Sequence, residues 1–256
     1  MTAQVVTFVN QKGGVGKTTS AVSMTAALAR QGHKVLLVDL DPQSNATSAV
    51  GVDGEDSPGI YEALIEEADI HSCIVRVEAE GFDMVPSSRA LSGAEVELVP
   101  AMARERRLAS AIHAVIDEYE FIFIDCPPSL GLLTINALTA TQYVIIPVQC
   151  EYMALEGLSR LTETLDLVRR NLNSSLTVLG VLLTMFDART RLSQQVVDEV
   201  REHFPRTFET LVPRAVRLSE APSHGQSIFL YEPGGRSAFA YNELANELLE
   251  RVGVPV

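Results

Sequence analysis

The stretch Lys12-Gly13-Gly14-Val15-Gly16-Lys17-Thr18-Thr19 decides the fold. It follows an apolar run, Val5-Val6-Thr7-Phe8-Val9, that reads as a buried strand. It precedes a segment from Thr18 to Gln31 that reads as a helix. Strand, glycine loop and helix, with Gly16-Lys17-Thr18 at the helix start, is the layout of a nucleotide phosphate site. Glycines let backbone N–H groups turn inward around phosphates, and the helix N-terminus adds a favourable dipole. The residues expected to wrap the phosphates are Gln11, Lys12, Gly13, Gly14, Val15, Gly16, Lys17, Thr18 and Thr19. Lys17 is expected to reach the terminal phosphates, and the Thr18 hydroxyl to ligate magnesium. The usual P-loop spacing wants glycine where this chain has Gln11, and a second lysine, Lys12, follows. This is the deviant Walker A form of the loop.

Four more apolar runs resemble the first. They are Val35-Leu36-Leu37-Val38, Phe121-Ile122-Phe123-Ile124, Val144-Ile145-Ile146-Pro147-Val148 and Val178-Leu179-Gly180-Val181-Leu182-Leu183. They are continuous rather than alternating, as expected of parallel strands covered on both faces. Helical patterns lie between them, near residues 101–118 and 154–171. In the second, Leu155, Leu158, Leu161, Leu165 and Val168 recur at helical spacing, a row explained by packing on a sheet. Residues 51–60 and 81–93 hold glycine, proline and serine clusters and read as loops. The expected fold is therefore α/β: a doubly wound, mostly parallel sheet with helices on both faces, in one domain over residues 1–256.

Bulk properties narrow the class. The chain carries 20 Lys and Arg against 33 Asp and Glu, a net charge of −13. Such a chain is repelled by nucleic acid overall, so any DNA binding needs a local basic patch and is salt-sensitive. No apolar run has the length of a bilayer span. Met1-Thr2-Ala3-Gln4 leads into the first strand without a basic leader, so no signal peptide is expected. Cys73, Cys126 and Cys150 are widely spaced and odd in number, which fits a reducing cytoplasm and no metal pair.

In an open α/β sheet, ligands sit beyond the carboxyl ends of the strands. Asp39-Leu40-Asp41-Pro42-Gln43 closes one run and Asp125-Cys126-Pro127-Pro128-Ser129 another. Asp125 fits the role of holding magnesium through a bound water. Asp39 and Asp41, two apart, project the same way if the backbone is extended. One is then placed to orient the metal shell and the other the attacking water. Thr18 and Asp125, with Asp39 or Asp41, are the expected metal group, and Lys17 is the expected cation on the phosphates.

With these segments in place, the chain resembles the ParA/Soj partition ATPases. The resemblance rests on the phosphate loop, on Asp39 through Ser48 and on Asp125 through Gly131. It extends over Pro147–Tyr152, Leu182–Thr190 and Val216–Gly225. It implies ATP and magnesium in each subunit, and closure of two subunits around two nucleotides as an ATP-dependent homodimer. Lys12 resembles the residue that crosses to the partner's nucleotide, and Asp41 the residue needed for hydrolysis. Met185, Pro213 and Arg214 are expected near the adenine. The family further implies non-specific binding to double-stranded DNA and a ParB-type partner that stimulates slow hydrolysis. It also implies a cytoplasmic protein that joins the nucleoid when ATP-bound. Arg189, Arg191, Arg214, Arg217 and Arg236 are the expected phosphate contacts. Gln226 and Gly234-Gly235 stand where many relatives carry basic residues, so fewer counterions are released on DNA.

The main rival is a MinD-like membrane ATPase, which uses the same engine. That class needs a basic amphipathic tail. The segment from Ser237 to Arg251 has one arginine, three glutamates and no lysine, and is repelled by an anionic membrane. It reads instead as a closing helix packed on the sheet.

Overall fold

The computed structural model describes residues 2–151 and 156–255. Among the described residues seven strands form one sheet: β1 (Gln4–Phe8), β2 (Val35–Asp39), β3 (Val75–Val77), β4 (Phe82–Val85), β5 (Phe121–Asp125), β6 (Tyr143–Gln149) and β7 (Thr177–Thr184). Their order across the sheet is β3-β4-β2-β5-β1-β6-β7. All neighbours run parallel except the edge strand β3, which is antiparallel to β4. The chain moves from β1 toward β2 on one side, and from β5 over β1 to β6 on the other. The strand order reverses at β1, which is where such sheets open a crevice for a ligand.

The helices are α1 (Lys17–Arg30), α2 (Asn45–Ala49), α3 (Ile60–Ile65), α4 (Leu91–Glu97), α5 (Arg107–Val115), α6 (Leu132–Ala140), α7 (Glu156–Asn171), α8 (Arg191–His203), α9 (Arg217–Glu220), α10 (Ile228–Tyr231) and α11 (Arg236–Val252). Alternate strand residues sort them onto the two faces. Val6 and Phe8, Leu37, Phe121 and Phe123 point into the core shared with α1 and α11. Val5, Leu36, Val38, Ile122 and Ile124 point into the core under α3, α5 and α6. Period-two exchange of faces, with both faces apolar, explains why these runs read as continuous. Phe8 and Phe123 meet edge to face at 5.6 Å. Burying each ring contributes roughly 1.5–3 kcal/mol.

The leucine row near 154–171 packs as expected: Leu158, Leu161, Leu165 and Val168 are buried against Val144, Ile146 and Val148. Leu155 and Tyr152 lie outside the described residues. The closing helix α11 buries Tyr241, Leu244, Leu248 and Leu249. It is joined to α1 by a 3.1 Å hydroxyl contact between Tyr241 and Ser20. Gln31 Nε2 donates to Asn242 and Asn246 on the same seam.

Two expectations are corrected. The loop expected over 81–93 contains β4 and the start of α4. Gly81, at φ +78°, and Pro86 bracket a strand of only four residues, so turn chemistry at both ends masked it. Phe82 and Met84 are buried, while Asp83 takes bonds from Arg76 and the Tyr119 hydroxyl, both at 3.0 Å. The helix expected near 101–118 is shorter, a 3-10 turn at Arg104–Arg106 followed by α5.

Candidate nucleotide-binding site

The loop between β1 and α1 lies at the reversal point of the sheet. Gly14 and Gly16 hold φ of +72° and +86°, a left-handed conformation that costs glycine nothing and other residues about 1 kcal/mol or more. The chain can therefore coil tightly and enter α1 at Lys17. No acidic residue occupies the first turn of α1, so its positive end stays uncompensated and available to an anion. Asn10, buried just before the loop, braces it: its Oδ1 accepts the Lys12 N–H at 3.0 Å and its Nδ2 donates to the Pro147 carbonyl at 2.7 Å. Thr184, at the end of β7, donates to the Val15 carbonyl at 2.8 Å. Sequence reading missed both residues. Asn10 sits at the strand-to-loop step where Asn commonly braces a turn, a usable local signal. Thr184 reaches the loop from 169 positions away and leaves no local signal.

Lys17 and Lys12 differ sharply. Lys17 is buried, and its Nζ donates to the Lys12 carbonyl at 3.2 Å. Burial lowers its pKa, against the pull of Asp125, Cys126 and Asp41. Lys12 is exposed. Beneath the loop, Asp125 is completely buried and neither carboxylate oxygen has a hydrogen-bond partner. The Thr18 hydroxyl stands near it without completing a bond. Burial, and then the Asp39 charge, push the Asp125 pKa well up. An unpartnered buried carboxylate is costly, and it fits a cation that arrives with a ligand.

Among the described residues no three His, Cys, Asp or Glu side chains form a ready metal cage. That fits magnesium, which keeps waters and takes a carboxylate or two plus substrate phosphates. Asp39 has different surroundings from Asp125. Its Oδ2 accepts from the Thr47 N–H and hydroxyl at 2.8 and 2.7 Å, and its Oδ1 from the Asp41 N–H at 3.1 Å. The backbone after β2 is thus not extended, so the condition for the two side chains to project the same way is not met. The chain folds through two successive Asx turns, the second closed by the Gln43 N–H on Asp41 Oδ1 at 2.9 Å. Of the two aspartates only Asp41 lines the adjoining cleft.

That cleft has a volume of about 790 Å³, large enough for a nucleotide. The glycine loop, Lys17, Thr18 and Thr19 line it together with Met185, Pro213 and Arg214. Val212, Pro213 and Arg214 run beside the end of β7: the Phe186 N–H bonds the Val212 carbonyl, and the Arg214 N–H bonds the Phe186 carbonyl. Met185 holds φ +53°, an uncommon conformation for a non-glycine residue and one often kept at a working site. The structure therefore joins the loop residues to the three residues expected near the base.

The five arginines are less uniform. Arg189 forks onto Asp187 at 2.9 and 2.7 Å, Arg217 pairs with Glu220 at 2.8 Å, and Arg214 lies 3.7 Å from Glu151. Arg191 and Arg236, each the first residue of a helix, have no carboxylate partner among the described residues. Cys73, Cys126 and Cys150 are buried free thiols, and burial raises the pKa of each.

A parallel sheet that reverses at β1, with a glycine loop, a buried lysine and a helix N-terminus at the crevice, defines a P-loop nucleotide-binding protein. Residues 3–178 match the family model described as an AAA domain. The chain is 53% identical to sporulation initiation inhibitor protein Soj of Bacillus subtilis, over 96% of this chain and 98% of that protein. It is 50% identical to chromosome partitioning protein ParA of Myxococcus xanthus, over 97% of this chain and 88% of that protein. Among solved structures, cobyrinic acid a,c-diamide synthase from Mycobacterium smegmatis, with bound ATP analog and magnesium, superposes with a TM-score of 0.85. That protein is 35% identical, with 98% of this chain and 96% of the other covered. The chain belongs to the Soj/ParA family of chromosome-partitioning ATPases.

Proposed function

We propose that this protein is an ATP-driven switch of chromosome or plasmid partition. ATP with magnesium binds each subunit, two subunits close face to face, and the dimer binds double-stranded DNA without sequence preference. Slow hydrolysis, stimulated by a ParB-type partner, ends that state. The observation that carries the reading is the pairing of a glycine-lined anion cradle with the unpartnered carboxylate of Asp125 directly beneath it.

Each residue has a role its surroundings support. The amides of Gly13 to Thr19 and the Lys17 ammonium hold the triphosphate. The Thr18 hydroxyl and, through water, Asp125 hold magnesium, which supplies charge neutralisation between the phosphates. Asp41, on the cleft wall, orients the attacking water. Lys12, exposed on the loop, is free to meet the partner subunit's triphosphate, where a cation offsets the charge brought into an acidic interface. Met185, Pro213 and Arg214 cover the base. The loops at Asp39–Asn45 and Asp125–Gly131 follow the γ-phosphate, and its loss lets them relax and the subunits part. The Soj and ParA relatives, named for sporulation control and chromosome partitioning, support this output.

The test is retention on random-sequence duplex DNA at low salt, with ATP, ADP or no nucleotide, alongside light scattering. The expected result is dimerisation and DNA retention with ATP only. Monomers in ATP, or equal retention in all three conditions, rejects the reading.

A further inference from the structure

We propose that Ser87 and Thr47 are positioning residues that hold Asp41 for hydrolysis, and that Asp39 serves in this clamp rather than in the magnesium shell. The inference rests on the reading of Asp41 as the residue that orients water.

Four buried residues close a ring of hydrogen bonds behind the cleft. The Asp41 N–H donates to Asp39 Oδ1 at 3.1 Å. Thr47 donates to Asp39 Oδ2 through its N–H at 2.8 Å and its hydroxyl at 2.7 Å. The Thr47 hydroxyl in turn accepts the Ser87 N–H at 2.9 Å. The Ser87 hydroxyl donates to the Asp41 carbonyl at 2.8 Å, which completes the circuit. The four are at most 5% exposed.

The ring joins three parts of the fold. Asp39 ends β2, Thr47 lies in α2, and Ser87 follows β4. Helix α2 begins at Asn45, and the side chain of its preceding residue, Ser44, makes no cap. Asp39 supplies that acceptor instead, bonding the third amide of the helix and placing negative charge at its positive end. Asp41 is thereby gripped at both neighbouring peptide groups, by Asp39 on its N–H and by Ser87 on its carbonyl. Its Oδ1 is held by the Gln43 N–H, and its Oδ2 takes no bond from a described residue. A carboxylate fixed in this way needs no reorganisation when water arrives, and loss of about 1 Å in placement can cost a hundredfold in rate. Asp39 has about three of its four lone-pair positions filled by protein donors, whereas Asp125 has none filled. The metal-shell role expected of both aspartates therefore falls to Asp125.

The experiment is steady-state ATPase on Asp41→Ala, Ser87→Ala, Thr47→Val and Thr47→Ser, with binding of a fluorescent ATP analogue measured on each. Ser87→Ala and Thr47→Val are expected to lower kcat about 10–100-fold and to leave analogue affinity within about threefold. Thr47→Ser keeps the hydroxyl and is expected to restore most of kcat. Ser87→Ala leaves every bond to Asp39 intact and remains informative if Thr47→Val does not fold. Wild-type kcat in Ser87→Ala, with Asp41→Ala inactive, overturns this inference and spares the role of Asp41. Equal loss of affinity and kcat, or Thr47→Ser as slow as Thr47→Val, also overturns it, because the ring is then only structural. Wild-type turnover in Asp41→Ala removes the reading of Asp41 itself.

Discussion

Asp39 and Asp125 are register partners across β2 and β5, yet one carboxylate is filled with protein donors and the other has none. The pair lies at the carboxyl ends of adjacent strands, the edge at which open α/β sheets take ligands. Asp39 is stabilised by its three donors, whereas Asp125 has no hydrogen-bond donor and only the nearby Lys17 charge to offset its own.

That asymmetry predicts a trade between stability and binding at Asp125. Asp125→Asn removes a buried charge that has no hydrogen-bond donor and is only partly offset by Lys17, a change worth about 1–3 kcal/mol. The nucleotide-free variant is expected to melt higher than wild type, by roughly 2–4 °C for each kcal/mol gained. Magnesium-ATP is expected to raise its melting point far less than it raises that of wild type. Thermal unfolding by circular dichroism, with and without magnesium-ATP, measures both. A lower melting point in the free protein combined with a normal ligand shift contradicts the assignment.

The two loop lysines are expected to fail differently. Lys17 is buried under the loop, so Lys17→Ala removes the main cation facing the phosphates and should abolish ATP binding in calorimetry. Lys12 is exposed, so Lys12→Ala should bind ATP near normally yet remain monomeric by light scattering. A Lys12→Ala dimer of wild-type stability removes the cross-subunit role.

Much of this site was legible in the sequence because its signals are local. A strand, three glycines, Lys17 and Thr18 occupy one short segment, and their geometry follows from glycine's freedom and the helix start. The five long apolar strands were legible because parallel strands carry apolar residues on both faces. What was not legible depends on contacts between distant segments. Ser87 is one of many serines until β4 places it against Asp41 and Thr47, and β4 itself was hidden by Gly81 and Pro86. Asp39 and Asp41 looked equivalent by spacing, and the Asx turn between them made them different.

Gly225 is expected to be the least replaceable glycine of the segment that closes the cleft. It holds φ +62°, and a Cβ there would lie 2.9 Å from the Gly51 Cα, a backbone atom that cannot swing aside. Gly225→Ala should therefore cost about 1–3 kcal/mol. It should also weaken ATP binding, since the neighbouring Pro222, Gln226 and Ser227 line the cleft. Exposed Gly234, with open space around it and no positive φ, is the control, and Gly234→Ala should be near neutral. Chemical denaturation of both variants checks the contrast, and equal midpoints would falsify it.

The arginines should contribute to DNA retention in an order set by their neighbours. Arg189 already spends both arms of its guanidinium on Asp187, and Arg217 is shared with Glu220 and Glu232. A phosphate must compete with those carboxylates, and the net counterion release from such a pair is small. Arg191 and Arg236 have no such competitor among the described residues, so each that meets a phosphate releases about one counterion. Arg191→Ala and Arg236→Ala should lower ATP-dependent DNA affinity and flatten its dependence on salt, each by about one unit in the slope of log K against log salt. Arg189→Ala should change that slope least. Binding isotherms at three salt concentrations on a random duplex decide the order, and a steeper loss for Arg189→Ala than for Arg191→Ala would reverse it.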